Sequence, residues 1–340
     1  MKVICRVPVR INLANGGDTD YYIKEAGWGC VVNATLSSHF YEVELNEDNK
    51  FKMDIVDYFD YAHNMNRTYK LDSDFSELDL LKASLKETGF SGRNSFVSRT
   101  NVPMQSGLGG SSSVCVAILS AIKHYRNEQI NPHEIASMAY SIERNRLNVP
   151  GGYQDQYAAA FGAGFNYMEF KEEGISVENL NLSDEVIEKL EKNLLLYYIS
   201  KRSVSGTEVH KAQEQKAALE WEQVKSLLVE KRDNAVKIKA ALLSGDLEQF
   251  AVLLRIDGEL KNKLSPKASN EFIDSLMETA YLNGAIGGKI SGAGSGGCMF
   301  FYVPEEKQSQ FREAMLDTGA IEMNYRFQRS YEPGIMLKKL

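Results

Sequence analysis

The sequence predicts an α+β protein of two domains. Its 340 residues exceed the roughly 100–200 residues of one typical domain, so two domains that share a site between them are expected. Strand-like segments fill most of the first hundred residues, and strands and helices then follow in a mixed order without regular alternation. Hydrophobic residues make up 43% and charged residues 25% of the chain, which excludes disordered, collagen-like and disulfide-scaffold classes.

The first predicted domain covers residues 1–170. Segments rich in β-branched and aromatic residues predict strands at Lys2–Val7, Cys30–Ser37, Phe40–Leu45, Phe51–Val56 and Asn94–Asn101. Leu78, Leu81 and Leu85 recur at helical spacing, and Gly89 is suited to end that helix. Two more helices are expected, one following the serines at 111–113 and one from about 132.

The second predicted domain covers residues 171–340 and begins at a surface turn, 171–174. Its expected elements are a helix from Ser183, a strand Leu194–Ile199, charged helices between Thr207 and Lys263, a helix Ala268–Leu282, a strand Cys298–Val303, a helix Glu306–Leu316 and a strand Glu322–Phe327. A glycine loop over 287–297 lies between the last long helix and the strand after it.

Charge and cysteine content limit the partners and the location. The net charge is −7, from 46 acidic against 39 basic residues, so neither nucleic acid nor an anionic membrane is expected as a partner. The four cysteines are widely spaced and form no C-x-x-C pair, which indicates reduced core residues in a cytoplasmic protein. No apolar stretch approaches the length of a membrane span.

The most informative segment is the loop 103–113, which contains Gly107-Leu108-Gly109-Gly110-Ser111-Ser112-Ser113. Glycines allow close backbone approach, and the first turn of the following helix offers N–H groups and a favourable dipole to a negative charge. No Gly-Lys-Ser/Thr follows, so this is not a Walker loop. The segment predicts either a phosphate-binding loop or a strand-to-helix turn with a serine cap.

A second glycine-rich segment, Gly284–Gly297, contains G-x-G-x-x-G at Gly292, Gly294 and Gly297. A dinucleotide fingerprint needs a helix directly afterwards, but the next residues predict a strand, so an NAD-dependent oxidoreductase is excluded. A ligand-binding loop, with Lys289 as its one cation, and a glycine-rich hairpin between packed strands remain open.

Two further segments carry charged side chains suited to a site. Asp18, Thr19 and Asp20 form either a simple turn or a set of acceptors for sugar hydroxyls, and Arg10, two residues after a proline, could clamp a phosphoryl group. Asp155 follows two glycines at the expected start of a short helix. It either complements that helix dipole or, near an arginine, accepts a hydroxyl proton.

Taken in this order, the four segments resemble the small-molecule kinase superfamily that includes galactokinase, homoserine kinase, mevalonate kinase and phosphomevalonate kinase. The similarity covers nearly the whole chain and is greatest to the D-glycero-D-manno-heptose 7-phosphate kinases. The residues that carry it are Arg10-Ile11, Gly16–Asp20, Val32–Thr35, Glu143-Arg144, Gly152–Gly162 and Gly164–Phe170. Galactokinases usually have Glu-His where Gly17 and Asp18 stand here, which disfavours galactose.

The resemblance implies a ribosomal-protein-like N-terminal domain, a ferredoxin-like C-terminal domain and ATP with Mg²⁺ bound in the cleft. It assigns the loop Gly107–Ser113 to the ATP phosphates, Ser111 and Glu143 to Mg²⁺, Asp155 to the role of base, and Arg10 to the acceptor hydroxyl and the γ-phosphate. It assigns Asp18, Thr19, Asp20, Gly152, Gly292 and Gly294 to the substrate.

The function expected from this resemblance is an ATP-dependent sugar 1-kinase acting on a heptose 7-phosphate. By the same resemblance, its product would be used to make nucleotide-activated heptose. Two alternatives stay open: a kinase of an unphosphorylated sugar such as fucose, arabinose or galactose, and a non-catalytic sugar sensor. A distal phosphate would need cations, and the available ones are Arg144, Arg146, Lys201, Arg202 and Lys211. The sequence leaves the oligomeric state open, and a homodimer is among the states it allows.

Overall fold

The computed structural model describes residues 1–340 except 17–18, 20–22, 24–25, 48–54, 61–64, 71–78, 92–93 and 201–202, and for 55–60 and 65–70 it describes the backbone. The predicted strand Phe51–Val56 and the positions of Gly17, Asp18, Asp20, Leu78, Lys201 and Arg202 therefore lie wholly or mainly outside the described residues.

A mixed sheet organises the first part of the molecule. Its eight strands within the described residues are β1 (Lys2–Ala14), β2 (Trp28–Glu47), β3 (Ile55–Asp60), β4 (Met65–Lys70), β5 (Asn94–Thr100), β6 (Phe165–Lys171), β7 (Gly174–Asn179) and β12 (Met336–Lys339). The main order is β12-β1-β2-β5-β3-β4, and β6 pairs with both β2 and β7. All of these pairings are antiparallel except the parallel pair β3 and β5.

The long strand β2 corrects the prediction of two separate strands there. Its 20 residues run without a break, and its register with β1 shifts from Val9↔Leu36 to Pro8↔Phe40. This irregularity bends the strand, so its first part pairs with β6 and its last part with β5. One bent strand therefore links the two wings of the sheet.

Helices cover one face of this sheet: α1 (Asp79–Thr88), α2 (Gly110–Tyr125), α3 (Pro132–Ser141) and α4 (Gln154–Phe161). They enclose an apolar core with β1, β2 and β6. A π-helical turn, Ile142–Arg146, directly continues α3. Such turns are often found at functional sites.

A second sheet lies in the later part of the chain. It contains β8 (Leu194–Ser200), β9 (Gly287–Ile290), β10 (Gly297–Tyr302) and β11 (Ile321–Met323), all antiparallel in the order β11-β8-β10-β9. The helices of this part are α5 (Asp184–Asn193), α6 (Gly206–Leu219), α7 (Trp221–Ser244), α8 (Leu247–Leu264), α9 (Glu271–Leu282) and α10 (Gln308–Asp317). One core joins α7 and α8 to both sheets, and another lies between the second sheet, α9 and α10.

The α+β class and the two-part organisation are confirmed. Three expectations are wrong: α9 begins at Glu271 and not at Ala268, the strand expected over 322–327 is short and ends at Met323, and part of the expected glycine loop is the strand β9. The division at 170/171 stays a prediction, although β7 and β12 both belong to the first sheet.

All four cysteines are buried and free, as the sequence predicts. Over the part of the chain that the structure describes, every helix is too short or too polar to cross a membrane.

Candidate active site

A cavity of about 370 Å³ lies where the first sheet, α4, α6 and the glycine loop meet. The loop 103–113, which is called the phosphate-binding loop below after the role its sequence predicts, lines it through Gln105–Gly107 and Gly109–Ser112. The π-helical turn contributes Glu143, and Arg10 and Asp155 lie in the wall. All four segments that the sequence singles out thus line one space, the glycine-rich segment through Gly292 and Ala293.

The start of α2 gives the loop its open amides. Gly109 is the N-cap residue in a left-handed conformation with φ of 80°, and no side chain caps the helix. The alternative of a serine cap is therefore wrong, because Ser111 and Ser112 donate to Glu143 and Ser113 donates to the Pro8 carbonyl. The first N–H groups of α2 are left for a ligand at the cavity, as an anion site at a helix N-terminus requires.

The other loop positions are fixed by packing. A Cβ on Gly110 would lie 2.5 Å from the Tyr41 hydroxyl, and one on Gly109 would lie 3.3 Å from Nε of Arg10. The Leu108 side chain is buried in the core and its carbonyl accepts a hydrogen bond from the Arg10 amide at 3.1 Å. A contact of Leu108 or Ser113 with a ligand stays a prediction.

The carboxyl group of Glu143 is buried and is held by neutral groups. Its carboxylate accepts hydrogen bonds from Ser111, from Ser112 at 2.8 Å and from Gln156. Burial raises the pKa of Glu143, against the opposing effect of these hydrogen bonds. No ion-pair partner for it is found within the described residues, so a bound cation would supply the compensation that the protein lacks.

This chemistry fits Mg²⁺. The ion prefers one or two carboxylates, with phosphate oxygens and water completing the shell, and Glu143 with the Ser111 hydroxyl offers that at the loop. A cluster of three or more His, Cys, Asp or Glu side chains, which an all-protein site would need, does not occur among the residues that the structure describes.

Arg10 and Asp155 form a two-bond ion pair across the cavity. Nε of Arg10 donates to Oδ1 at 3.1 Å and Nη2 donates to Oδ2 at 2.7 Å, while Nη1 donates to the Gly107 carbonyl at 2.8 Å. The arginine on β1 thus connects the first turn of α4 to the phosphate-binding loop. Gln154 adds a hydrogen bond to Oδ1 of Asp155 at 2.8 Å.

Thr19 is fully buried, and its hydroxyl accepts a hydrogen bond from the Tyr153 amide at 2.7 Å. This bond places Thr19 next to the start of α4 and close in sequence to Gly152, which lines the cavity. Asp18 and Asp20 lie outside the described residues, so their proposed contacts with the substrate, like those of Thr19 and Gly152, stay predictions.

The glycine loop packs on the phosphate-binding loop. Ser291 donates to the Gly107 carbonyl at 3.0 Å, and a Cβ on Gly297 would lie 2.6 Å from the Ser106 carbonyl oxygen. Gly292 lines the cavity, whereas Gly294 packs against the backbone of Ala268. A strand follows Gly297, as the sequence predicts.

Lys289 is not a cation offered by that loop to a ligand. It lies on β9, is fully buried and forms an ion pair with Asp257 of α8, which also accepts a hydrogen bond from the Asn15 amide at 2.8 Å. Burial alone would raise the pKa of Asp257, but the ammonium groups of Lys289 and Lys231 outweigh it and lower the pKa.

Lys201 and Arg202 lie outside the described residues, and the other three cations proposed for a distal phosphate do not gather at one site. Arg146 pairs with Glu87, Lys211 is exposed, and Arg144 donates to the Val149 carbonyl at 2.9 Å while lining the cavity. The sequence analysis does not single out Lys231 and Lys261, two cations that line a second cavity next to this one. One signal for Lys231 was available, because it lies on the buried stripe of α7 between Leu228 and Ala235.

Two models of known protein families match the chain. A model of the GHMP kinase N-terminal domain matches residues 77–163, and a model of the GHMP kinase C-terminal domain matches residues 238–321. The first match contains the phosphate-binding loop, Glu143 and Asp155, and the second contains Asp257, Lys289 and Gly292.

Relatives match over nearly the full length. The D-glycero-alpha-D-manno-heptose 7-phosphate kinase of Campylobacter jejuni is 33% identical over 328 residues, 93% of this chain and 94% of that protein. The galactokinase of Pyrococcus furiosus is 25% identical over 93% of both chains. A solved D-glycero-D-manno-heptose 1-phosphate kinase from Bacteroides thetaiotaomicron superposes with a TM-score of 0.76 at 25% identity over 99% of both chains. The chain therefore belongs to the GHMP kinase family.

Proposed function

We propose that this kinase transfers the γ-phosphoryl group of ATP to the anomeric hydroxyl of D-glycero-D-manno-heptose 7-phosphate, giving the 1,7-bisphosphate and ADP. The observation that carries the proposal is the similarity to the Campylobacter jejuni kinase over 93% of the chain. The Arg10–Asp155 pair beside the phosphate-binding loop supports it, because it places a carboxylate at the cavity where an acceptor hydroxyl would meet a phosphoryl donor.

The amides at the start of α2 would bind the ATP phosphates, and Glu143 with Ser111 would hold Mg²⁺. When bound, the ion neutralises charge on the phosphate oxygens. Phosphoryl transfer needs mainly alignment and charge neutralisation, and the loop, Arg10 and the carboxylate of Glu143 are arranged for that. These groups come from the first sheet and its helices, so the donor site is built by the N-terminal domain.

Asp155 would accept the proton of the anomeric hydroxyl as that oxygen bonds to phosphorus and the bond from phosphorus to the ADP oxygen breaks. Arg10 keeps the carboxylate in one orientation through two hydrogen bonds. Within the described residues, the buried Oε1 of Gln154 has no hydrogen-bond partner. A substrate hydroxyl would satisfy it, because Gln154 lines the cavity.

The finer description of the fold belongs to this proposal. The order β8, helices, β9, β10, α10, β11 supports a ferredoxin-like C-terminal domain, and the resemblance to the family supports a ribosomal-protein-like N-terminal domain. A cytoplasmic location and a homodimer stay expectations.

A second candidate substrate is a heptose 1-phosphate. The name of the Bacteroides thetaiotaomicron structure places the existing phosphate on carbon 1, whereas that of the Campylobacter jejuni relative places it on carbon 7. If carbon 1 already carried a phosphate, the accepting hydroxyl would be elsewhere on the sugar. A direct comparison of substrates separates the two.

The test is an ADP-release assay over D-glycero-D-manno-heptose 7-phosphate, the 1-phosphate, the unphosphorylated heptose, galactose, fucose and arabinose, with the product identified by ³¹P NMR. We expect the highest kcat/KM for the 7-phosphate. Loss of the distal phosphate should cost on the order of 2–4 kcal/mol of transition-state binding through lost charge-assisted hydrogen bonds. Equal or faster turnover of a free sugar would refute the proposal.

A further inference from the structure

A second, smaller cavity of about 50 Å³ lies behind the ion pair of the candidate active site. It shares Arg10, Gln154 and Asp155 with the larger cavity and extends from them toward α7 and α8. Lys231 of α7 and Lys261 of α8 also line it. The wall of this cavity therefore carries a carboxylate suited to a hydroxyl and two ammonium groups.

Lys231 is buried without a partner of its own. Its side chain is 1% exposed, and no hydrogen bond or ion pair is found for it among the residues that the structure describes. Burial of an ammonium group is costly unless it is paired. The buried carboxylate nearby, Asp257, is already engaged by Lys289 and by the Asn15 amide.

Among the described buried residues around Asp257, the charge is therefore unbalanced. Lys231 and Lys289 contribute two buried positive charges against the single negative charge of Asp257. Such an excess at a cavity wall favours an anion, because the low dielectric of the interior strengthens attraction between opposite charges.

Lys261 is held at the same wall. Its ammonium donates to the carbonyl oxygens of Ile290, at 3.2 Å, and Gly292. These two carbonyls belong to the end of β9 and the start of the glycine loop. The loop thus fixes a second positive charge at the wall of this cavity, where it would attract the oxygens of a phosphate.

We propose that Lys231 and Lys261 bind the distal phosphate of the sugar substrate, which would lie with its acceptor hydroxyl at Asp155. This inference rests on the proposed function, and it deepens it by assigning the selectivity for a phosphorylated sugar to two residues of α7 and α8. The site would reject an unphosphorylated sugar because the charge of Lys231 would then stay uncompensated.

The test is isothermal titration calorimetry on the full chain and the variants Lys231→Met and Lys261→Met. Lys237→Met, a change of the same kind at an exposed position of α7, is the matched control. The titrants are D-glycero-D-manno-heptose 7-phosphate, the unphosphorylated heptose and Mg-ATP. We expect each cavity variant to lose about tenfold or more in affinity for the sugar phosphate, with the other two affinities and the control within twofold of the wild type.

Different failures have different meanings. A wild type that does not bind or turn over the sugar phosphate refutes the proposed function and this inference with it. The inference alone is refuted if the wild type binds and turns over the sugar phosphate but the variants keep the wild-type affinity for it. The same holds if the variants lose affinity equally for the sugar phosphate and the unphosphorylated sugar. A loss confined to Mg-ATP assigns the lysines to the nucleotide and also refutes it. If Lys231→Met does not fold by circular dichroism, Lys261→Met, at a half-buried position, provides the same comparison.

Discussion

Arg10 and Asp155 form an ion pair whose two members differ sharply in exposure, since the arginine side chain is 4% exposed and the carboxylate side chain 32%. The arginine is thus part of the fold, tied to Asp155 by two hydrogen bonds and to Gly107 by a third. The carboxylate faces the cavity. We infer that Arg10 orients the carboxylate and that Asp155 meets the acceptor hydroxyl.

Asp155→Asn should lower kcat about 10²–10⁴-fold, the range for loss of a general base, because the amide keeps the shape but cannot take the proton. KM for ATP should change little, since the loop and Glu143 are untouched. Steady-state kinetics on heptose 7-phosphate, with folding checked by circular dichroism, measures both. A kcat near that of the wild type would remove Asp155 from the chemical step.

Arg10→Met should also lower kcat, because Asp155 then loses two hydrogen bonds and the Gly107 carbonyl loses one. The double variant with Asp155→Asn should lose much less than the product of the two single effects, since residues that act as a unit are not additive. A double-mutant cycle on kcat measures this. Additive effects would show that the pair does not act together.

Gly109→Val should weaken ATP binding and lower kcat together. The valine would have to adopt φ of about 80°, which costs roughly 1–2 kcal/mol, and its Cβ would displace the Arg10 guanidinium. Gly89→Val is the matched control, because Gly89 also has positive φ but has no atom within 4 Å of the added Cβ. Both variants should lose stability in thermal unfolding, and ATP affinity should fall in Gly109→Val alone. An equal change of affinity in both would assign the effect to the backbone.

Glu143→Gln should raise the melting temperature in Mg²⁺-free buffer at pH 7 while weakening the apparent affinity for Mg²⁺ by about tenfold or more. Burial raises the pKa of Glu143 above its ordinary value, so the folded protein binds this proton more tightly than the unfolded chain. The stability of the wild type should therefore fall as the pH rises from about 4.5 through the folded pKa, and the glutamine variant should lack this slope. A variant that is less stable at pH 7 would contradict an uncompensated charge at this position.

Lys289→Met should destabilise the protein by about 3–5 kcal/mol, because it leaves Asp257 buried with a weakened set of partners. Lys189→Met is the control, since the Lys189–Glu185 pair is exposed and should contribute little to the stability of the fold. Urea denaturation measures both. The lowered pKa of Asp257 predicts that the contribution of this pair is present above the ordinary aspartate pKa and is lost as the pH falls through the folded value. Equal midpoints for the two variants would contradict this role.

The sequence alone predicts the elements whose signals are local. The leucine spacing and Gly89 locate α1, and the glycine-serine segment locates the loop and the start of α2, because these patterns depend on neighbouring residues. The roles of Asp155 and Glu143, by contrast, come from the family resemblance. Nothing near either residue in the chain indicates Arg10, which is 145 positions from Asp155.

Buried charges are the main feature that the patterns miss. Lys231 and Asp257 lie on the buried faces of α7 and α8, among Leu228, Ala235 and Leu254, but a pattern search assigns charges to the solvent side. Lys289, the partner of Asp257, lies on a strand, whereas the sequence alone indicates a cation on a loop. The interaction among the three depends on how α7, α8 and β9 pack, which no local pattern contains.

The pairing of β12 with β1, through Val3↔Lys339 and the three pairs after it, has a consequence for biosynthesis. β1 leaves the ribosome before β12, which follows only after the whole second sheet has been made. Until then β1 has an open edge, which is a template for association with other chains. Synthesis of the first sheet therefore ends after synthesis of the second, and a fragment that stops at residue 170 should depend on chaperones to stay unaggregated.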